Sequence, residues 1–241
     1  MAQQSTVLNF KYIKMKFFLI LSLLSCSALA QTGIVSYKVK RYKKPEKQHE
    51  LVVEVNKEYD LMSFTLSYNK EFSHFKQDKS IPLNSLNHLI ASATVRYMGP
   101  WFQYPIQKES IIISKVQAED YQIVHDKMNL ENWELTNETK TIDGYECYKA
   151  TRSQLNDRTL EFYTLVAWYT PDVSVPYGPI GEGYLPGLIL QLIVADSYEY
   201  TVQEMTLNPK KVDIPKLKVA ERVTPKEFAL KIRKLRKVTE D

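Results

Sequence analysis

The chain has 241 residues, of which 44% are hydrophobic and 12% aromatic, with 16 tyrosines and a formal net charge of +4. This content excludes a disordered chain and lets about 211 residues beyond a leader bury one substantial core without a staple. The leader holds three lysines and no acid, so 29 basic residues face 28 acidic ones in the remainder, and the compositional case for nucleic-acid binding disappears.

Residues 1–30 read as a secretory signal peptide. Lys11, Lys14 and Lys16 form the basic region, Phe17 to Leu24 the apolar region, and Ala28-Leu29-Ala30 the cleavage site, with Gln31 as the new N-terminus. Met15 opens this leader well, so residues 1–14 read as an over-extended start. An apolar run this short does not span roughly 30 Å of hydrocarbon. Leu23-Leu24-Ser25-Cys26 loosely resembles a lipobox, which makes a lipid anchor at Cys26 the disfavoured alternative. The expected location is exported, in the periplasm or outer envelope. Cleavage leaves Cys147 as a single thiol with no intramolecular disulfide.

Strand patterns dominate residues 31–241, expected as one domain. Gly33 to Val39 alternates apolar and polar residues, and Leu51 to Val55 and Leu61 to Tyr68 continue in that style. Ile111 to Val116, Tyr121 to Val124 and Trp133 to Leu135 are shorter candidates. Asp143-Gly144 signals a hairpin turn before a strand at Tyr145 to Ala150. Thr159 to Tyr169 and Leu188 to Val194 are the most apolar strands, and Tyr198 to Leu207 ends the series. Leu83 to Ala91 fits a short helix or a loop. A basic helix over 224–238 is signalled by Thr224-Pro225-Lys226-Glu227, a capping threonine with proline at the first position and glutamate three residues on. The expected fold is β-rich and mainly antiparallel, a large curved sheet or half-barrel of about eight to ten strands with one or two helices.

Four of the seven glycines, Gly178, Gly181, Gly183 and Gly187, fall within ten residues, with Pro171, Pro176, Pro179 and Pro186 crowding the same stretch. Around it stand Trp133-Glu-Leu135, Gly144-Tyr-Glu-Cys-Tyr-Lys-Ala150, Ala167-Trp-Tyr-Thr-Pro171 and Leu185-Pro-Gly-Leu-Ile-Leu190. In that order the series resembles the GLPGLI family, secreted proteins of Bacteroidetes. Tyr184 stands where the signature has its first glycine. The resemblance implies export and a shared fold, and it implies no reaction.

Leu185-Pro-Gly-Leu188 suits a type II turn launching a buried strand. The functional reading makes the same segment a pocket rim of exposed amides and rings, formed by Trp168, Tyr169, Tyr177, Gly178, Tyr184, Leu185, Pro186 and Gly187. Cys147 reads as a buried inert thiol. His49, His74, His88 and His125 lack metal-ligand spacing, and Glu182 and Asp196 read as solvated carboxylates. No catalytic residue, metal or cofactor is assigned. The favoured function is non-enzymatic binding of a small apolar or peptide-like ligand in the sheet's concavity. The alternatives are an envelope hydrolase with a cryptic site near Cys147, Glu182 or a histidine, and an interaction protein docking through the basic helix. Membrane contact by that helix is not favoured, and oligomeric state is left open.

Overall fold

The computed structural model describes residues 32–42, 50–116, 118–126, 132–155 and 161–238. The leader, Cys26 and His49 therefore lie outside the described residues. Twelve strands and three helices follow in chain order: β1 (Gly33–Arg41), α1 (Glu50–Leu61), β2 (Ser63–Tyr68), β3 (Ser73–Gln77), α2 (Ser85–Thr94), β4 (Trp101–Tyr104), β5 (Glu109–Val116) and β6 (Glu119–His125). Then come β7 (Glu134–Ile142), β8 (Tyr145–Leu155), β9 (Phe162–Thr170), β10 (Leu188–Val194), β11 (Tyr198–Leu207), β12 (Glu221–Val223) and α3 (Pro225–Val238). All strands join one sheet in the order β12-β6-β5-β4-β3-β2-β1-β11-β10-β9-β8-β7. Among the described residues only the β12–β6 pair is parallel.

The sheet is β-rich and antiparallel as expected, but it is wider than expected and carries a third helix. Leu51 to Val55 is the clearest correction, because it lies in α1 and not in a strand. Val55, Glu58 and Tyr59 are its buried positions, with Met62 buried just past its end, a spacing of three to four that belongs to a helix. Residues 85–94 are helical, and Asn84 caps them through Oδ1 to the Leu86 and Asn87 amides. The C-terminal capping box forms as its sequence implies. Glu227 accepts from the Thr224 amide at 2.7 Å, and the Glu227 amide donates back to Thr224 Oγ1 at 3.2 Å.

Cross-strand register defines one inward face. Val35 lies opposite Leu66, Leu66 opposite Phe75, Phe75 opposite Trp101, Trp101 opposite Ile112, and Ile112 opposite Ile123. On the other side Val39, Tyr200, Leu192, Ala167 and Ala150 continue the row. The helical pair α1–α2 covers part of this face. There Phe64 stacks on Phe75 at 5.3 Å, Tyr97 and Tyr200 meet Phe64 edge-on, and the Tyr200 hydroxyl donates to Val95 O at 2.9 Å.

The sheet is strongly curved. In a flat sheet seven strand spacings would hold β4 roughly 34 Å from β8. Yet Arg152 of β8 pairs with Glu182, and the Glu182 carbonyl accepts from Gln103 of β4 at 2.8 Å. Two side chains and one residue bridge the interval, so the sheet wraps into a half-barrel.

Candidate functional site

The seventeen-residue connection 171–187 between β9 and β10 fills the half-barrel. Its backbone is received by a polar lane on the inward face. Ser73, Gln103 and Ser110 are cross-strand neighbours on β3, β4 and β5, and all three are buried. Ser110 Oγ donates to Gly181 O at 2.6 Å, Gln103 Nε2 to Glu182 O at 2.8 Å, and the Gly178 amide to Gln103 Oε1 at 3.3 Å. Buried loop backbone needs such partners, and this lane supplies them. A short 3-10 turn, Pro179–Gly181, lies at the centre, with Gly181 so close to the Trp101 ring that a Cβ would sit 2.3 Å from it.

The residues expected to form a pocket rim separate accordingly. Tyr169, Tyr177, Gly178, Leu185 and Gly187 are buried, and the Tyr177 hydroxyl donates to Asn69 O at 3.1 Å. Trp168 lies under Lys140 at 4.1 Å and Tyr184 under Lys108 at 5.3 Å, both half-buried, while Pro186 is exposed. The turn differs from the expected type II. Gly187 N–H bonds Leu185 O at 2.8 Å, a three-residue γ-type closure around Pro186, while Leu188 N–H goes to Val173 O. Tyr184 has φ 64°, so the position where the GLPGLI signature carries glycine is left-handed here.

Glu182 corrects the expectation of a solvated carboxylate. It is 1% exposed and pairs with Arg152, itself 5% exposed, whose guanidinium stacks over the Trp133 ring at 4.7 Å. Trp133 Nε1 in turn donates to Gly183 O at 3.1 Å, so the pair fastens the plug to β8 and the segment before β7. Asp196 is exposed in a turn. Cys147 is buried, and burial pushes its thiol up to about 11, which keeps it protonated and poorly nucleophilic at neutral pH.

A surface groove of about 450 Å³ lies beside α2, lined by Gln77, His88, Leu89, Tyr97 and Met98 among others. The adjoining surface exposes Ile81, Leu83, Leu86, Leu89 and Met98, with Leu86 at 63% and Leu89 at 66%. A run of large apolar side chains left in water marks a contact surface. The polar groups of this groove are ordered. Glu58, almost fully buried, bonds the Asn84 amide at 2.7 Å and His88 Nδ1 at 3.1 Å, and His88 Nε2 lies 3.2 Å from Gln77 Nε2. Those contacts fit the tautomer with the proton on Nδ1 and Nε2 accepting from the amide. Sequence patterning missed the site because it joins α1, α2 and β3. The one local signal was the excess of leucine and isoleucine over 81–90.

On the outward face His74 packs on Phe102 at 4.6 Å, and burial, with Lys76 nearby, lowers its pKa to about 4. The fold therefore prefers neutral His74, and unfolding takes up a proton below pH 6.5. Stability should be unaffected above pH 6.5 and fall by about 3 kcal/mol between pH 6.5 and 4 from this group. Denaturation midpoints across that window should drop less in His74→Phe, and an identical pH profile for both proteins would refute the assignment.

Among the described residues no helix is long and apolar enough to cross a membrane, and no cluster of three metal-ligating side chains occurs. Residues 87–227 match the family described as N-glycanase peptide, N-terminal domain. Two structures of PNGF-II are similar in fold. The one in space group C2 has 15% identity and TM-score 0.52, covering 83% of this chain and 32% of that one. The one in P21 has 16% identity and TM-score 0.51, covering 85% and 34%. The Mycobacterium tuberculosis lipoprotein LppX also aligns, with 13% identity, TM-score 0.32 and coverage of 81% and 96%. None of the curated proteins matches the sequence. The chain thus spans about a third of the length of PNGF-II.

Proposed function

The chain belongs to the N-glycanase peptide, N-terminal domain family, and from that premise we propose that it is an exported, non-enzymatic module that binds an apolar or peptide-like ligand in the groove beside α2. The exposed apolar surface formed by Leu86, Leu89 and Met98 next to that groove carries this reading. Its volume is within the range of small-ligand sites, and His88 and Gln77, the former held by buried Glu58, offer fixed polar groups beside an apolar wall. Export rests on the leader at 1–30, and kinship with GLPGLI proteins on the motifs between 133 and 194; both belong to the proposal. The filled interior is what moves the ligand from the concavity to the groove. Whatever PNGF-II does as a whole belongs to a chain about three times longer.

The test is a titration with the neutral apolar dye N-phenyl-1-naphthylamine. Saturable fluorescence enhancement is expected for the wild type and at least tenfold weaker binding, roughly 1.4 kcal/mol, for the double variant L86D/L89D. Both side chains are solvent-facing, so the variant should keep its stability to within about 0.5 kcal/mol. Equal dye binding by both proteins would refute the site.

A further inference from the structure

The inward face carries a second polar cluster at the end of the half-barrel where β9 and β11 begin. Arg152, Leu165, Val194 and Tyr198 are successive cross-strand partners on β8, β9, β10 and β11 and so point to the same side. Arg152 spends Nη2 on Glu182 and on Gln154 at 3.3 Å, while its buried Nη1 has no hydrogen-bond partner among the described residues. The buried Tyr198 hydroxyl has none either. Two orphaned buried donors on one row are costly, and a ligand that accepts from both would remove that cost. Burial keeps the Tyr198 phenol far above its ordinary pKa, so it remains a donor, and Arg96, Tyr163 and Glu182 are near enough to act on it electrostatically.

Arg96 supplies the charge. Its guanidinium lies over the Tyr163 ring at 3.9 Å and donates to the Tyr163 hydroxyl, and it meets no carboxylate among the described residues. Glu182 is already matched by Arg152, so the cluster holds one uncompensated positive charge beside two unused donors. The backbone adds an independent sign. The Arg96 amide bonds Ala93 O and the Tyr97 amide bonds Ser92 O, the paired closure that ends a helix with a left-handed residue, usually glycine. Arg96 occupies that residue at φ 60°. A strained arginine in a glycine position points to a use for its side chain.

We propose that Arg96, Arg152 and Tyr198 form a binding site for one oxyanion group, a phosphate monoester or free phosphate, walled by the rings of Trp133 and Tyr163. Half-buried Arg96 and Tyr163 give the site its opening to solvent. The charge-assisted, forked geometry of guanidinium groups suits such oxygens. Arg96 does not line the α2 groove, although its neighbours Ala93, Tyr97 and Met98 do, and the proposal does not depend on that groove.

The test uses the full chain and isothermal titration with inorganic phosphate and, separately, dodecyl phosphate. Arg96→Gly removes the charge while restoring the residue that the helix end prefers, so its melting temperature should equal or exceed the wild type's. Tyr198→Phe deletes only the orphaned hydroxyl and should also fold normally. Saturable phosphate binding is expected in the wild type, weakened about tenfold or more in each variant, with N-phenyl-1-naphthylamine binding unchanged. Tighter binding of dodecyl phosphate would assign the natural group to an amphiphile, and equal binding to a free phosphate. Phosphate affinity that is the same in all three folded proteins, or no saturable response to either probe, overturns the proposal.

Discussion

Glu182→Ala should destabilise the protein by about 3–5 kcal/mol, the cost of leaving a buried guanidinium without its counter-charge. Arg152 is 5% exposed and stacked on Trp133, so it has no easy route to water once Glu182 is gone. The loss is expected as a lower denaturant midpoint with an unchanged slope. Replacing both members, as in R152M/E182L, should recover most of that stability, because a buried ion pair and an apolar pair of similar volume are often close in energy. The two experiments separate the penalty of an unpaired charge from the net worth of the pair. A loss below about 0.5 kcal/mol for Glu182→Ala, the ordinary range of surface substitutions, would show that the plug is not fastened there.

Gly187→Ala should cost about 3 kcal/mol or more, adding left-handed backbone strain to overpacking. At φ +159° a Cβ would stand 2.1 Å from Thr170 O and 2.5 Å from Thr170 C, and backbone atoms have no rotamer through which to give way. Gly144, at the tip of the β7–β8 hairpin with φ +80°, is the internal control. A Cβ there meets nothing within 4 Å, so Gly144→Ala should cost only about 1 kcal/mol. Thermal melts of both variants check the contrast. Similar melting temperatures for the two would mean that the close approach of β10's entry to Thr170 does not constrain the fold.

The two substitutions probe the same feature from opposite ends, because Glu182 and Gly187 hold the plug 171–187 inside the half-barrel. How far this was legible in the sequence depends on how local each signal is. Alternation marked β1 to within two residues, since one buried face imposes a period of two, whereas β10 was marked by a continuous apolar run that is buried on both faces. The Asp143-Gly144 turn was equally plain, and both residues take positive φ. α1 was misread because Val52, Val53 and Val55 favour strands locally, whereas burial of Val55, Tyr59 and Met62 against the sheet decides for helix. β4 is four residues long, too short for a period to show. The polar lane Ser73–Gln103–Ser110 and the Arg152–Glu182 pair were not legible at all, because strand register creates the first and the inward packing of the 171–187 connection creates the second.

The glycine and proline concentration was thus a sound signal of a special loop. Its reading as a turn that launches a buried strand fits the way it packs Tyr177 and Leu185 inward and satisfies its own carbonyls on the sheet. Apolar surface is left outside, where α2 turns Leu86 and Leu89 to water.

Amide hydrogen exchange with and without saturating N-phenyl-1-naphthylamine tests this account most directly. Added protection should fall on residues 85–99, α2 and the groove-lining segment that follows it, with residues 171–187 already protected in the free protein and unchanged by the dye. Protection that appears instead across 171–187, with α2 unaffected, would contradict a plugged interior and return the ligand to the half-barrel.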